Sequence, residues 1–258
     1  MSETTTLIIQ TIFAGALGAA VGSFLNVVVL RMRANQPFLH GHSRCPHCGR
    51  QLRWWELVPV GSFLALGGRC RTCRHRLSAQ YLLLECLTAA VFMTIFLRYG
   101  WSFLTPFGWV VGSTMLLIAT YDGKWSLIPD EFSYLFIGSS LIWVLIAQQS
   151  WLETLYGLFA GAIFFGLQYV LSRGKWIGSG DIFIGLGLGL LLGWRMFFTA
   201  LVMAYLSGAI VAAIQIIRRR KSVGTTMPFA PYLMAGGFAA WLFGPAIVNW
   251  YVLYVARF

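Results

Sequence analysis

Two kinds of side chain in this sequence have the type and spacing to do chemistry: thiols set in pairs, and a few carboxylates set in apolar surroundings. The thiols are Cys45-Pro-His-Cys48 and Cys70-Arg-Thr-Cys73, with 21 residues between the pairs. Two such knuckles can bring four thiolates to the corners of a tetrahedron around zinc. A closed set of four leaves no position for an activated water, so the expected role is structural. Gly49 and Arg74, which follow the knuckles, suit the turns of a ribbon-type site. Two disulfides or four unrelated thiols are the competing readings. The charge asymmetry described below puts the segment in the reducing cytosol, where disulfides rarely persist. The fifth cysteine, Cys86, lies in an apolar stretch and is expected to pack there.

The carboxylates number eight: Glu3, Glu56, Glu85, Asp122, Asp130, Glu131, Glu153 and Asp181. Ionisable groups at membrane depth are costly to hold and are functional by default. Glu3 and Glu153 are expected at an outer surface, Glu56 follows Trp54-Trp55, and Glu85 sits in the run Tyr81-Leu82-Leu83-Leu84-Glu85. Asp122 ends one apolar segment, in Tyr121-Asp122-Gly123-Lys124-Trp125, and Asp181 begins another, in Gly178-Ser179-Gly180-Asp181. Two carboxylates at similar depth on separate helices could face each other across a shallow cleft. Close together they cannot easily both ionise, so one keeps a proton as general acid while the other activates water. That chemistry cuts peptides with neither nucleophilic serine nor metal. Gly178 and Gly180 would let backbone approach a bound peptide. The plainer reading is that Asp181 caps its own helix and Asp122 sits at the lipid interface.

The elements that must position these groups are membrane helices. Of the 258 residues 58% are hydrophobic and 10% charged, against about a quarter charged in soluble domains. Runs of roughly 20 apolar residues suffice to cross a hydrocarbon core. Eight are expected, at 7–30, 80–97, 103–121, 132–148, 153–172, 182–194, 196–217 and 229–254. The sixth is short and glycine-rich (Gly185, Gly187, Gly189, Gly193), and the last is interrupted by Gly244-Pro245. The runs are continuous rather than alternating, which favours helices over a barrel.

With the N-terminus outside, the loops 31–79, 122–131, 173–181 and 218–228 face inward and hold 16 of the 19 lysines and arginines; Arg98, Arg195 and Arg257 fall outside. Positive-inside asymmetry of this size fixes the orientation expected for a bacterial inner membrane. The net charge of +11 then belongs to a face against anionic lipid, and no nucleic-acid partner is expected. Glu3 before the first span and Arg31 and Arg33 after it describe an uncleaved anchor. The expected organisation is a first transmembrane helix (1–30), a cytoplasmic zinc-binding insert (31–79) and a transmembrane catalytic domain (80–258). The insert carries all four histidines (40, 42, 47, 75) and the arginines at 44, 50, 53, 69, 71, 74 and 76. These suit lipid phosphates or an anionic partner or cofactor. So small an insert would take much of its folding energy from metal.

The motifs, taken together, resemble a known family. Gly178-Ser179-Gly180-Asp181 matches the GxGD motif of membrane aspartyl proteases. The Asp122 segment, ending in Ile128-Pro129-Asp130, resembles the first aspartate motif of type IV prepilin peptidases. Gly22-Ser23-Phe24-Leu25-Asn26-Val27 looks like that family's N-terminal motif. Glu56-Leu57-Val58-Pro59-Val60, Gly68-Arg69-Cys70-Arg71 and Leu84-Glu85 are similar to its cytoplasmic domain, and Pro228-Phe229-Ala230-Pro231 to the start of its last span. The resemblance runs in order from about residue 20 to 240.

It implies an all-α polytopic fold of eight helices with a zinc-binding cytoplasmic loop. It also implies cleavage of the basic leader of prepilins or pseudopilins on the cytoplasmic side, and N-methylation of the new amine with S-adenosylmethionine. Asp122 and Asp181 would be the dyad. Asp130 and Lys124, with Gly178 and Gly180, would be supporting or substrate-binding residues. Gly22, Ser23, Asn26, Glu56 and Glu85 would be related to methylation; no GxGxxG fingerprint is present, and Gly185–Gly189 lie inside a span. The family often has lysine two residues after the GxGD aspartate, where this chain has Phe183. A GxGD protease for other membrane peptides, or a non-catalytic zinc-ribbon adaptor or transporter, are the alternatives.

Overall fold

The computed structural model describes residues 2–38, 41–218 and 227–255. His40, the basic residues Arg219, Arg220 and Lys221, and Arg257 lie outside the described residues. Regular structure among the described residues is helical: α1 (Glu3–Arg33), a 3-10 turn (Trp54–Leu57), α2 (Gly61–Ala65), α3 (Ala79–Tyr99), α4 (Leu104–Trp125), α5 (Asp130–Ile146), α6 (Trp151–Ser172), α7 (Ser179–Ile217) and α8 (Ala230–Val255). Six of these are long and apolar enough to cross a membrane: α1, α3, α4, α6, α7 and α8. α5 has 17 residues, short of the roughly 20 that a 30 Å core requires. Large apolar side chains stay exposed along these helices, among them Ile8, Ile12, Val170, Leu171 and Leu206, as expected where the solvent is lipid. The chain divides into two compact units, Met1–Thr105 and Pro106–Phe258.

In the first unit α1 and α3 run antiparallel with their backbones close. A Cβ on Gly18 would meet the Thr88 carbonyl and Ala89 Cα, and one on Gly22 would lie 2.8 Å from Glu85 Cα. Small residues permit this approach, which drives helix pairing where lipid removes the hydrophobic difference. Asn26 locks the pair near its end, donating from Nδ2 to the carbonyls of Gly22 (3.3 Å) and Tyr81 (3.2 Å). Residues between Arg33 and Ser78 form the insert, carrying the 3-10 turn, α2 and two isolated antiparallel bridges, Arg44 with Gln51 and Arg69 with Arg76.

In the second unit α7 packs against α5, α6 and α8. Its backbone leaves helical geometry at Gly193 (φ 68, ψ 169), a region essentially restricted to glycine. A straight helix would carry Tyr205 about 30 Å from Gly185, yet Phe165 of α6 lies against Gly185 while Gln168, three residues further along α6, accepts the Tyr205 hydroxyl at 3.2 Å. On α8, neighbouring glycines touch both sides of the break: Gly236 abuts Ala200 and Ala204, and Gly237 abuts Leu188. The chain therefore doubles back at Gly193 into two arms, 179–192 and 194–217. These correspond to the segments expected at 182–194 and 196–217. The glycines of the first arm have partners. Gly185 and Gly189 lie backbone to backbone against Gly161 and Gly157 of α6, and Gly187 accommodates the Phe136 ring of α5.

Candidate active site and metal centre

Asp122 and Asp181 lie in end turns of α4 and α7, and both are buried (5% and 8% exposed). Asp122 occupies the last turn of α4, and its Oδ2 accepts the backbone N–H of Ala230 at 3.0 Å. Ala230 opens α8, so its N–H is one of the donors a helix start leaves without an internal partner. Asp181 stands in the first turn of α7. Its Oδ2 accepts the Gly178 N–H at 3.1 Å while its own N–H donates to the Gly178 carbonyl at 3.2 Å. It therefore does cap its helix, and the positive end of a helix dipole faces each carboxylate. Among the described residues each carboxylate commits one oxygen and leaves the other for water or substrate.

Gly180 brings the two aspartate segments together: a Cβ there would lie 3.0 Å from Ile128 Cβ, in the stretch that follows Asp122. Its close neighbour is thus this chain, where the sequence suggested a bound peptide. Gly178 is more open, with the Asp181 carboxylate and the Gly180 nitrogen at 3.9 and 4.0 Å from a Cβ placed there. Asp130 is exposed in the first turn of α5, favourably placed for that helix's dipole. Lys124 is exposed, its ammonium 4.8 Å from the Trp125 ring centre. Phe183 meets Tyr134 edge to face at 5.7 Å. The Ala230 anchor of Asp122 was not foreseen; Pro228-Phe229-Ala230-Pro231 stood out in the sequence only as a motif.

In the first unit the sulfurs of Cys45, Cys48, Cys70 and Cys73 all lie within 4.8 Å of one another and could hold a metal ion. Cys45 Sγ and Cys73 Sγ are 3.9 Å apart, close to the ~3.8 Å that ~2.3 Å zinc–sulfur bonds impose on a tetrahedron. The two knuckles repeat each other at an offset of 25 residues. Cys45 N–H bonds to Arg50 O as Cys70 N–H does to His75 O, Gly49 N–H to Cys45 O as Arg74 N–H does to Cys70 O, and Leu52 N–H to Ser43 O as Leu77 N–H does to Gly68 O. Gly49 and Arg74 share a positive φ, 68° and 57°. Backbone N–H groups of Cys73 and Thr72 converge on Cys70 and hold its thiol down to about 6. Cys73 receives the His75 N–H, but burial and the neighbouring thiols Cys70, Cys48 and Cys45 push it up to about 11. Four sulfurs so close cannot all shed their protons without a cation among them. His47 and His75 are not at the sulfur cluster's corners; their rings stack at 4.3 Å.

A cavity of about 210 Å³ opens in the same unit, walled by Ser23, Tyr81, Glu56, Glu85 and arginines, with Cys45 and Cys70 on one side. Of the residues singled out in the sequence for methylation, Ser23, Glu56 and Glu85 line it, while Gly22 and Asn26 hold α1 to α3. Both oxygens of Glu56 are engaged: Arg50 binds them at 2.6 and 3.1 Å, and the Arg53 N–H adds a bond at 2.9 Å. Arg50 first, then that N–H, hold the Glu56 carboxyl below its ordinary range. Glu85 Oε2 accepts the Val60 N–H at 2.7 Å.

Comparison with known proteins gives concordant matches. The family described as Bacterial Peptidase A24 N-terminal domain matches residues 16–99, and the Type IV leader peptidase family matches residues 109–213. A prepilin leader peptidase/N-methyltransferase of Bacillus subtilis (strain 168) is 31% identical over 236 residues, covering 91% of this chain and 95% of its own. Proteins of the same description from Pseudomonas aeruginosa and Legionella pneumophila are 30% and 26% identical, covering 92% and 93% of this chain and 91% and 93% of theirs. No solved structure matches.

Proposed function

We propose the following for a chain that belongs to the type IV leader peptidase family: it is a membrane aspartyl endopeptidase that removes the leader of prepilin or pseudopilin precursors at the cytoplasmic side and methylates the amine so exposed. The observation that carries the peptidase reading is the pair Asp122 and Asp181, both buried, on segments that meet where Gly180 abuts Ile128, and each with one uncommitted oxygen among the described residues. In the mechanism one carboxylate is ionised and draws a proton from a water held between the pair. The other, protonated, donates to the scissile carbonyl oxygen; as the C–N bond breaks, the first carboxylate passes the water's proton to the leaving amine and the gem-diol returns a proton to the second. The backbone N–H groups of Ala230 and Gly178 orient the two groups without consuming the oxygens that react. Phe183 and the exposed Lys124 and Asp130 border the region a leader would cross.

The reading extends to the rest of the chain. The arms 179–192 and 194–217 count as two spans and α5 as another, giving eight, with the N-terminus outside and the insert in the cytosol; the basic loops support this orientation. The insert at 31–79 folds around zinc held by Cys45, Cys48, Cys70 and Cys73, whose donor set and spacing suit that ion. S-adenosylmethionine, when bound, supplies an electrophilic methyl group. The cavity lined by Ser23 and Glu85 would hold it, the arginines of the wall suiting its carboxylate, with Glu56 bracing that wall through Arg50 and Gly22 and Asn26 as framework.

The test is cleavage of a leader-bearing pilin precursor in liposomes by wild type, Asp122→Asn and Asp181→Asn, with mass spectrometry of the new N-terminus. Both variants should lose at least about a thousandfold in rate, the scale seen when one member of a catalytic unit is removed. A variant that still cleaves near the wild-type rate would show the dyad to be wrongly assigned.

A further inference from the structure

Glu85 is an acidic side chain in the second turn of an apolar helix, only 6% exposed, and facing the cavity rather than lipid. Among the described residues its one hydrogen bond comes from Val60 N–H. That donor is itself unusual. Val60 has φ 59 and ψ −52, and the Gly61 N–H closes back onto the Pro59 carbonyl. This is a γ-turn of the rare, strained hand. It is built on a β-branched residue, for which a positive φ is a genuine outlier. Strain of this kind persists only where the surroundings enforce it, and it clusters at functional sites. Its effect here is to point an N–H at one oxygen of Glu85, fixing the carboxylate and leaving the second oxygen uncommitted.

The cavity's other carboxylate differs in this respect. Glu56 has both oxygens taken by Arg50 and the Arg53 N–H, so it braces the wall and has nothing left to offer a ligand.

We propose that Glu85 is the group that receives the substrate's N-terminal amine in this cavity and takes its proton during methyl transfer, while Glu56 is structural. The proposal rests on the methylation reading above. The amine nitrogen forms its bond to the methyl carbon as the carbon–sulfur bond of the donor breaks, the sulfur keeping that electron pair as a neutral thioether. The proton the nitrogen sheds goes to the Glu85 carboxylate and from there to solvent. The strained turn at Val60 acts through Glu85 and is a positioning element.

Two measurements on the full-length protein in nanodiscs test this. In the first, a mature pilin peptide with a free N-terminal amine is coupled to wild type with a zero-length carbodiimide and the adduct is mapped by mass spectrometry. The amide should form on Glu85. An adduct confined to other carboxylates overturns the proposal whatever any variant does. In the second, Glu85→Gln, whose amide oxygen can still accept the Val60 N–H, is compared with wild type. Its affinity for S-adenosylhomocysteine by calorimetry should stay within about threefold. Its methyl-transfer kcat should fall by about 10²–10⁴, the range for loss of a general base. Methyl transfer at the wild-type rate by Glu85→Gln overturns the proposal. Absence of both cleavage and methylation in wild type would instead defeat the functional reading on which it rests.

Discussion

Among the described residues Asp122 and Asp181 each accept one backbone N–H from a helix start, one lent by α8 and the other by the aspartate's own helix. The sequence made the pair visible because carboxylates are so scarce in it. It could not reveal the Ala230 donor, since a backbone N–H 108 residues away has no side-chain signature. The same holds for Val60, whose conformation nothing in its type suggests. Glu56 supports a prediction at this scale. Its carboxyl is held below its ordinary range by Arg50, so its contribution to stability is complete above the ordinary glutamate pKa of about 4.3 and disappears as pH falls through the lower native value. Glu56→Gln should therefore unfold at a lower temperature than wild type at pH 7. The gap should close below about pH 4, as read by differential scanning fluorimetry of the metal-loaded protein. A gap that is unchanged or wider in acid would show that the carboxylate's charge is not what stabilises the insert.

At the scale of elements, glycine decides the architecture twice. The glycine-rich run at 185–193 stood out in the sequence as a short segment with indistinct ends. Its pattern becomes intelligible only beside Gly157 and Gly161, because four-residue spacing on both helices lets two backbones touch. Gly161→Ala, whose Cβ would meet the Gly185 carbonyl, should cost about 1–3 kcal/mol, as overpacking does. Gly166→Ala, on the same helix with nothing within 4 Å, should be neutral or gain up to about 1 kcal/mol from helix propensity. Gly193→Ala should also destabilise, by about 1–3 kcal/mol, because its backbone conformation is closed to alanine. Reversible unfolding in mixed micelles measures all three, and equal effects at 161 and 166 would contradict the close approach. The repeat of the two knuckles, by contrast, was present in the letters all along: Arg-Cys-x-x-Cys-x-x-x-Leu occurs at 44–52 and again at 69–77. A search confined to spans of membrane length passes over it.

The whole molecule joins two compact units built on different terms. The insert of the first has short turns and bridges around four sulfurs, whereas the second is long helices throughout. A strong zinc chelator should therefore expose the arginines at 44–76 to trypsin at least about tenfold faster while far-UV helicity barely changes. A parallel loss of helicity, or no change in proteolysis, would show that the metal does not organise the insert alone. The expectation of membrane helices, and of which loops carry charge, followed from composition; the division at residue 105 did not, because no shift in composition marks it. The backbone contact between α6 and the first arm of α7 has a mechanical consequence. Two chains pressed together without intervening side chains have nothing to repack, so they shift as one beam or separate outright. Asp181 rides on the end of that beam and keeps its place. α8 leans on both arms of α7 through Gly236 and Gly237, so the helix start that grips Asp122 is tied to the same scaffold.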